Sequence, residues 1–279
     1  MKWKRGPVST DIEDRRGSRM RIGGGLGVGG ALVVLVLSLI FGQDLTGVLG
    51  GGQAEVQTDS TGPVSESPAE RERVEFVSFV LDSAQSYWQR AFAESGKDYP
   101  RARLVLFRDL TNTACGYGQS ASGPFYCPAD QKVYIDLAFF DELDRRFGAP
   151  GDFAQAYVLA HEIGHHVQTL LGIERDVRQL QQSNPGEANQ AQVRLELQAD
   201  CLAGMFGNEM AAMGILERGD VEEGLGAASA VGDDRIQEAT QGRVNPDAFT
   251  HGSAAQRAEW FRRGLQSGRI QACDTFRNG

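Results

Sequence analysis

The stretch YVLAHEIGHHVQTLLG, from Tyr157 to Gly172, carries three of the four histidines of the chain within an otherwise apolar run. Its apolar residues occur on most sides of a helical projection, which predicts a long buried helix between Gly151 and Gly172. Unpaired ionisable groups are costly away from water, so their presence in such a helix requires a reason. The stretch therefore points to a chemical role for its polar side chains.

The polar residues of this predicted helix have the spacing of a metal site. His161 and His165 are four residues apart, so their rings project from one face and can bind a single zinc ion. Glu162 lies at the edge of that face, where it can act as general base toward a zinc-activated water, as in the H-E-x-x-H motif of metallopeptidases. His166 lies about 100° further around the helix and is predicted to pack or to support a ligand.

A catalytic zinc usually has three protein ligands, so a further ligand is needed. The metzincin continuation His-x-x-Gly-x-x-His is absent, which excludes that class. Glu196, in the apolar stretch LELQADCLAG, is the predicted third ligand, and Asp200, four residues later, is predicted to orient His161. Glu187, in a loop-like stretch, is the weaker substitute for Glu196. Two imidazoles with one carboxylate suit one zinc ion.

The last histidine, His251, precedes a predicted helix with Ser253 at its cap position. A peptidase of this kind needs a donor that stabilises the oxyanion of the tetrahedral intermediate, and His251 is the candidate for this catalytic role. Capping or packing is the alternative role for His251. Arg257 could pin the same loop to an acid near the site. Unranked alternative donors are four tyrosines, Tyr117, Tyr126, Tyr134 and Tyr157.

Charge is distributed unevenly along the 279 residues. Residues 1–21 have a net charge of +4, which leaves −13 for the rest of the chain. A body this acidic is a poor candidate for nucleic-acid binding, which requires a basic face. Residues 22–42 contain no charged residue and are long enough to span a bilayer, so we predict an uncleaved transmembrane helix. A cleaved signal peptide and a buried core helix are the alternatives.

The predicted organisation has four parts. A basic cytoplasmic segment (1–21) precedes the membrane span (22–42), because positive charges before a span favour a cytoplasmic amino terminus. A linker rich in Gly, Ser, Thr and Pro (43–70) leads to a metallopeptidase domain (71–279) outside the membrane. We predict a single-pass cell-membrane protein with an extracytoplasmic catalytic domain. The even number of cysteines permits two disulfides there, of which Cys115–Cys127 and Cys201–Cys273 are favoured.

Helical periodicity dominates the domain, so the predicted fold class is α+β and mostly helical with a small β element. Apolar periodicity predicts helices over 74–96, 137–148, 188–214, 220–240 and 253–268. Two β-rich runs, 102–109 and 132–136, flank the Cys115–Cys127 loop and predict a small sheet or hairpin.

Four motifs in order, HEIGHHVQTLLG, ELQADCLAG, THGSAAQRAEWF and ACDTF, resemble the neutral zinc metallopeptidase family of bacterial membrane-anchored proteins, the YpfJ-like family. The resemblance covers nearly the whole chain. It implies a zincin domain of the gluzincin type, with zinc held by His161, His165 and Glu196 and with Glu162 as general base. By analogy with zincins, the strand KVYID (132–136) would be the edge strand that binds the peptide, and the Cys115–Cys127 loop would form part of the rim.

These observations predict a membrane-anchored zinc metalloendopeptidase that hydrolyses peptide or protein substrates. The alternative is a non-catalytic zinc-containing binding or assembly factor of the cell envelope. Glu162 favours the enzyme, since a purely structural zinc site has no need of a base. A helical domain without metal is the third possibility, and it would be fully stable in chelator.

Overall fold

A computed structural model describes residues 1–23, 55–59 and 64–277 of the chain. Within these ranges the protein is mostly helical with a small sheet, which confirms the predicted α+β class. The described residues form eight α-helices: α1 (Pro68–Glu94), α2 (Phe139–Arg145), α3 (Asp152–Leu171), α4 (Ile173–Ser183), α5 (Ala188–Ala212), α6 (Asp220–Ala230), α7 (Asp233–Gln241) and α8 (Ala254–Ser267).

The strands are short and form one four-stranded sheet and two antiparallel pairs. The pairs are β2 with β3 and β5 with β6, and the main sheet has the order β1-β4-β8-β7. The bounds are β1 (Ile12–Asp14), β2 (Arg19–Gly23), β3 (Glu55–Asp59), β4 (Arg103–Phe107), β5 (Leu110–Thr113), β6 (Gly116–Gln119), β7 (Phe125–Cys127) and β8 (Lys132–Asp136).

The two predicted strands, β4 and β8, are parallel neighbours and not the two arms of a hairpin. The chain between them forms the β5–β6 pair and then β7, which lies antiparallel to β8. Strand β8 is therefore paired along both of its edges. The prediction that KVYID is the peptide-binding edge strand is wrong, because β7 covers that edge and is itself the outer strand.

Helix α3, which carries the opening motif, lies in the middle of the hydrophobic core. It begins directly after Gly151 and ends at Gly172, which adopts a left-handed conformation with φ of 78°, so both predicted ends are confirmed. Its apolar residues join a cluster with α1, the main sheet and α5. A Cβ atom added at Gly164 would lie 3.1 Å from the carbonyl oxygen of Ala199. Glycine thus lets α3 and α5 approach closely where both carry their polar residues.

Two helical regions differ from the sequence prediction. The predicted helix over 220–240 is divided into α6 and α7, because Gly232 is extended and the Val231 carbonyl accepts a hydrogen bond from Arg257 at 3.1 Å. Helix α4 was not predicted at all. It is strongly polar, and Val177 is its one buried residue. Its sequence therefore lacks the repeated apolar residues from which a helix that packs on the core can be predicted.

Both predicted disulfides, Cys115–Cys127 and Cys201–Cys273, are present. The first ties the β5–β6 region to β7. The second closes 72 residues of sequence and fastens the chain after α8 to α5, the helix that carries Glu196. Closing a long loop restricts the unfolded chain and is worth about 4 kcal/mol in the chain-entropy account.

The first residues of the chain belong to the same fold as the helices. Strand β1 lies parallel to β4 as the first strand of the main sheet, whereas the sequence led us to expect a separate segment over 1–21. Within the expected linker, 43–70, residues 55–59 form β3, and α1 begins at Pro68 with Ser67 as its cap. Of the expected membrane span, residues 22–23 lie in β2 and residues 24–42 fall outside the described ranges. No helix within the described ranges combines the length and apolarity needed to cross a bilayer.

Candidate metal centre

Three potential ligand atoms converge where α3 faces α5. The Nε2 atom of His161 lies 3.2 Å from Nε2 of His165 and 3.2 Å from Oε2 of Glu196. The distance between His165 Nε2 and the same carboxylate oxygen is 3.4 Å. A tetrahedral zinc with bonds of about 2.0–2.1 Å sets its ligand atoms about 3.3 Å apart. The ligand types and their separations therefore fit zinc. The i, i+4 spacing on α3 brings the two histidines together, and the close packing of α3 on α5 brings Glu196 to them.

The ring of His161 is held by a buried network on its other side. Its Nδ1–H donates to Oδ1 of Asp200 at 2.8 Å, which leaves the Nε2 lone pair directed at the convergence point. Asp200 is fully buried and also accepts two hydrogen bonds from Arg257, at 2.9 and 3.0 Å. The hydroxyl of Tyr157 donates to the same carboxylate at 2.5 Å. Arg257 thus donates hydrogen bonds to the Asp200 carboxylate and to the Val231 carbonyl. The sequence left open which acid near the site pairs with Arg257, and in the structure that acid is Asp200.

The ring of His165 is oriented in a similar way by a residue that the sequence reasoning missed. Its Nδ1–H donates to Oε1 of Gln168 at 2.9 Å. The amide nitrogen of Gln168 in turn donates to the Leu195 carbonyl at 2.7 Å and to Gln198 at 3.0 Å. The sequence feature that could have identified Gln168 is a polar residue three positions after a histidine in an otherwise apolar helix. Both imidazoles therefore present Nε2, as metal-binding histidines oriented by outer hydrogen bonds do.

Glu162 faces a cavity of about 870 Å³ that also exposes His161, His165 and Glu196. Among the described residues, no side chain or backbone group donates a hydrogen bond to its carboxylate, although the residue is only 7% exposed. The cavity is lined on one side by the segment 121–126, which ends in the edge strand β7. The prediction that the Cys115–Cys127 loop forms part of the rim is confirmed for these residues.

Charges within the site shift the pKa values of its members. Burial lowers the pKa of His161, but the neighbouring carboxylates of Asp200 and Glu196 outweigh this effect and raise it to about 10. Burial likewise lowers the pKa of His165, and Glu196 raises it overall. The pKa of Glu196 moves the other way, because the two histidines outweigh burial and hold it well below its usual range. The ligand group thus attracts cations strongly, which suits a bound metal ion.

His251 lies at the same cavity, with its side chain about half exposed. Asp233, at the start of α7, was not identified from the sequence, because acids in the first turn of a helix are common. Its carboxylate accepts the backbone N–H groups of Thr250, His251 and Gly252, and it lies 3.2 Å from Nδ1 of the His251 ring. Burial lowers the pKa of His251, and Asp233 and Glu196 raise it overall. The ring is therefore anchored at Nδ1.

The other sequence candidates have different surroundings. His166 bonds to the hydroxyl of Tyr126 and the carbonyl of Pro100, and burial lowers its pKa. Glu187 is exposed at the start of α5, apart from the ligand group. Among the tyrosines, the hydroxyls of Tyr126, Tyr134 and Tyr157 are engaged by His166, Asp130 and Asp200 respectively, whereas Tyr117 is 56% exposed and does not line the cavity.

Comparison with known proteins places the whole chain in one family. YpfJ of Escherichia coli strain K12 is 49% identical over 290 aligned residues, which cover 99% of each chain. Mb2605 of Mycobacterium bovis is 47% identical over 189 residues, which cover 64% of this chain and 63% of the relative. No solved structure matches. The sequence model described as "Putative neutral zinc metallopeptidase" matches residues 1–276, so this chain belongs to the neutral zinc metallopeptidase family.

Proposed function

We propose that the protein is a zinc metalloendopeptidase with a zincin-like catalytic domain of the gluzincin type. The observation that carries the proposal is the convergence of two imidazole Nε2 atoms and one carboxylate oxygen at 3.2–3.4 Å. The carboxylate of Glu162, which lines the same cavity, has no hydrogen-bond partner within the part of the chain that the structure describes. His161, His165 and Glu196 would hold one zinc ion, with Asp200 and Gln168 orienting the two rings. A zinc ion in such a site acts as a Lewis acid toward a carbonyl oxygen and toward water.

Glu162 is the proposed general base. Its carboxylate borders the cavity and is not engaged by other described residues, so it can accept a proton from the attacking water and pass it to the leaving amine. Glu162 follows His161 directly on α3, and it lines the same cavity as His161, His165 and Glu196.

His251 is the proposed donor to the oxyanion. Because Asp233 accepts from Nδ1, the ring presents Nε2 to the cavity, and the raised pKa of His251 favours the protonated, donating form. We expect His251→Ala to keep zinc and to lower kcat by about 10²–10³-fold.

The proposed position of the peptide substrate is along β7. This strand is the outer strand of the main sheet, and the segment that ends in it lines the cavity. Main-chain hydrogen bonds to an edge strand bind an extended peptide with little dependence on its sequence. Both disulfides lie in the domain and support an extracytoplasmic, oxidising location, and membrane attachment through the apolar residues 24–42 remains a prediction.

The test compares the full-length wild-type chain with two variants, Glu162→Gln and the matched control Glu142→Gln, which changes another carboxylate lining the cavity. Zinc content is measured by elemental mass spectrometry, and cleavage is measured on a mixed peptide library. We expect wild type and both variants to bind one zinc per chain. Cleavage should fall by about 10²–10⁴-fold for Glu162→Gln alone, because only that variant removes the base.

Zinc binding without cleavage by any of the three proteins would overturn the peptidase proposal. The non-catalytic binding or assembly factor would then replace it. Equal loss of activity in both variants would show that the cavity carboxylates act through general electrostatics, and Glu162 would lose its role as the base.

A further inference from the structure

The amino-terminal residues of the chain are built into the domain. Strand β1 pairs with β4 over three residues, from Ile12 opposite Leu104 to Asp14 opposite Leu106. Upstream of β1, the hydroxyl of Ser9 donates to Asp82 on α1 at 2.7 Å. The ring of Trp3 packs edge-on against Phe76 of the same helix, with centroids 5.3 Å apart. Residues 3–14 thus contact α1 and the main sheet, and the amino group of Met1 donates to Asp152 of α3 at 2.8 Å and to Asp220 of α6 at 3.2 Å.

Arg16 fastens this segment to the chain that follows the apolar stretch. Its side chain is 3% exposed and contacts three carboxylates, those of Asp14 at 2.6 Å, Glu66 at 3.0 Å and Glu70 at 2.9 Å. We call these four residues the arginine cluster. Asp14 precedes the apolar stretch, whereas Glu66 and Glu70 follow it. A buried guanidinium needs such partners, so separating the two parts of the chain would leave charges unpaired.

The last residue described before residues 24–54 and the first residue described after them are neighbours in a pair of strands. Strands β2 and β3 are antiparallel, with Arg19 opposite Asp59 and Gly23 opposite Glu55. Paired strands lie about 5 Å apart. A single membrane crossing between Gly23 and Glu55 would instead separate these residues by the hydrocarbon thickness of about 30 Å.

The basic residues of the segment have partners within the domain. Arg5 contacts Glu72 of α1 at 2.8 Å, and the guanidinium of Arg15 donates to the Asn112 carbonyl at 3.0 Å. Some of the positive charge that predicted a cytoplasmic segment therefore interacts with the rest of the domain. These basic residues are then weaker evidence that the amino terminus lies in the cytoplasm.

We propose that residues 1–23 and the zinc-binding domain lie on the same side of the membrane, and that the end of the domain carrying β2 and β3 faces the lipid bilayer. Gly23 and Glu55, which are paired in the β2–β3 ribbon, then lie on the same side of the bilayer. The amino terminus shares the compartment of the two disulfides. This proposal concerns attachment and orientation, and it does not depend on peptidase activity.

The experiment uses single reporter cysteines in the full-length chain, whose four native cysteines are all in disulfides. Val8→Cys reports on the amino-terminal segment, since Val8 is 52% exposed, and Met213→Cys reports on the domain, since Met213 is 59% exposed. Lys4→Cys is a second exposed position in the segment, in case Val8→Cys misfolds. Each variant is treated with a membrane-impermeant maleimide in spheroplasts, before and after permeabilisation.

We expect equal labelling of the segment and domain reporters before permeabilisation, in protein that sediments with membranes. If both reporters become labelled only after permeabilisation, the two parts still share one side, and only the extracytoplasmic location is wrong. Labelling of Met213→Cys alone in intact spheroplasts would overturn the proposal, because the segment would then lie across the bilayer. Recovery of the protein entirely in the soluble fraction would also overturn it.

Discussion

The candidate metal centre and the arginine cluster are both buried groups of charged residues, and they differ in where the nearest arginine side chains lie. Arg16 contacts all three carboxylates of the cluster, and Arg71 and Arg108 also contact Glu66 and Glu70 respectively. In the metal centre, the charge of Arg257 is directed at Asp200, on the far side of His161. The atoms that converge between α3 and α5 are two imidazole nitrogens and a carboxylate oxygen. The arginine cluster therefore links two segments of the chain, whereas the atoms of the candidate metal centre have the spacing that suits a bound ion.

The largest expected effect follows from removing the carboxylate of the metal centre. Glu196→Gln replaces an anionic ligand by a neutral amide, so we expect loss of zinc and of all peptidase activity. Zinc per chain and cleavage of the peptide library are the measurements. Gln192, which donates to Glu196 at 3.0 Å, provides the control Gln192→Ala, and we expect that variant to keep its zinc. Full zinc content in Glu196→Gln would remove Glu196 from the ligand set.

The next effect concerns the residue that orients His161. Asp200→Asn keeps the shape of the side chain but removes the charge that faces both His161 and Arg257. We expect zinc affinity to fall by about 10–100-fold, the usual result of losing such a partner. Competition with a chromophoric chelator at pH 7 measures the affinity. Unchanged affinity together with lower thermal stability would show that Asp200 serves the fold alone.

A smaller effect is expected from the arginine cluster, and it should appear in stability without change in zinc affinity. Arg16→Ala removes the buried cation shared by Asp14, Glu66 and Glu70, while Arg71 remains beside Glu66 and Arg108 beside Glu70. We expect a loss of about 2 kcal/mol in the free energy of unfolding. The melting temperature should fall by about 4–8 °C for a chain of this size. Arg5→Ala removes an exposed ion pair and should change stability by less than about 0.5 kcal/mol. Equal effects from both substitutions would show that the arginine cluster is not part of the fold.

The smallest effect is a pH dependence of that stability. Arg16 lowers the pKa of Asp14 against the opposing effect of burial, Arg71 and Arg16 lower that of Glu66, and Arg108 and Arg16 lower that of Glu70. Folded-state pKa values below the unfolded values of about 4 give stability that is complete above pH 5 and is lost as the pH falls further. The difference between wild type and Arg16→Ala in urea unfolding should therefore shrink between pH 5 and pH 3. A constant difference over this range would contradict the assignment.

The sequence correctly predicted which side chains converge where helical spacing decides the geometry. His161 and His165 share a face because any α-helix places residues i and i+4 together, and the ends of α3 follow from its flanking glycines. Glu196 and Asp200 could be selected because carboxylates within an apolar helix require partners. Gln168 and Asp233 were missed because a glutamine in a helix or an acid at a helix start has many ordinary roles.

The order of strands could not be read from the chain. β-Pairing depends on contacts between distant residues, and a strand of three residues such as β1 or β7 has almost no local signature. The sequence therefore identified β8 but assigned it the place that β7 occupies at the sheet edge.

By itself, the sequence determined the candidates for the chemistry proposed for this protein: the side chains that could bind a metal ion, the carboxylate that could act as a base, and the cysteines that pair. These features depend on residue type and helical spacing, which are local properties. The tertiary structure alone decided the partners that the sequence could not name, such as Gln168 for His165 and Asp233 for His251, and where the first residues of the chain lie. Arg16 appears in the sequence as one of several basic residues, and only folding brings it to Glu66 and Glu70. The sign of each charged side chain follows from residue type, whereas its partner depends on how segments that are distant in sequence pack together.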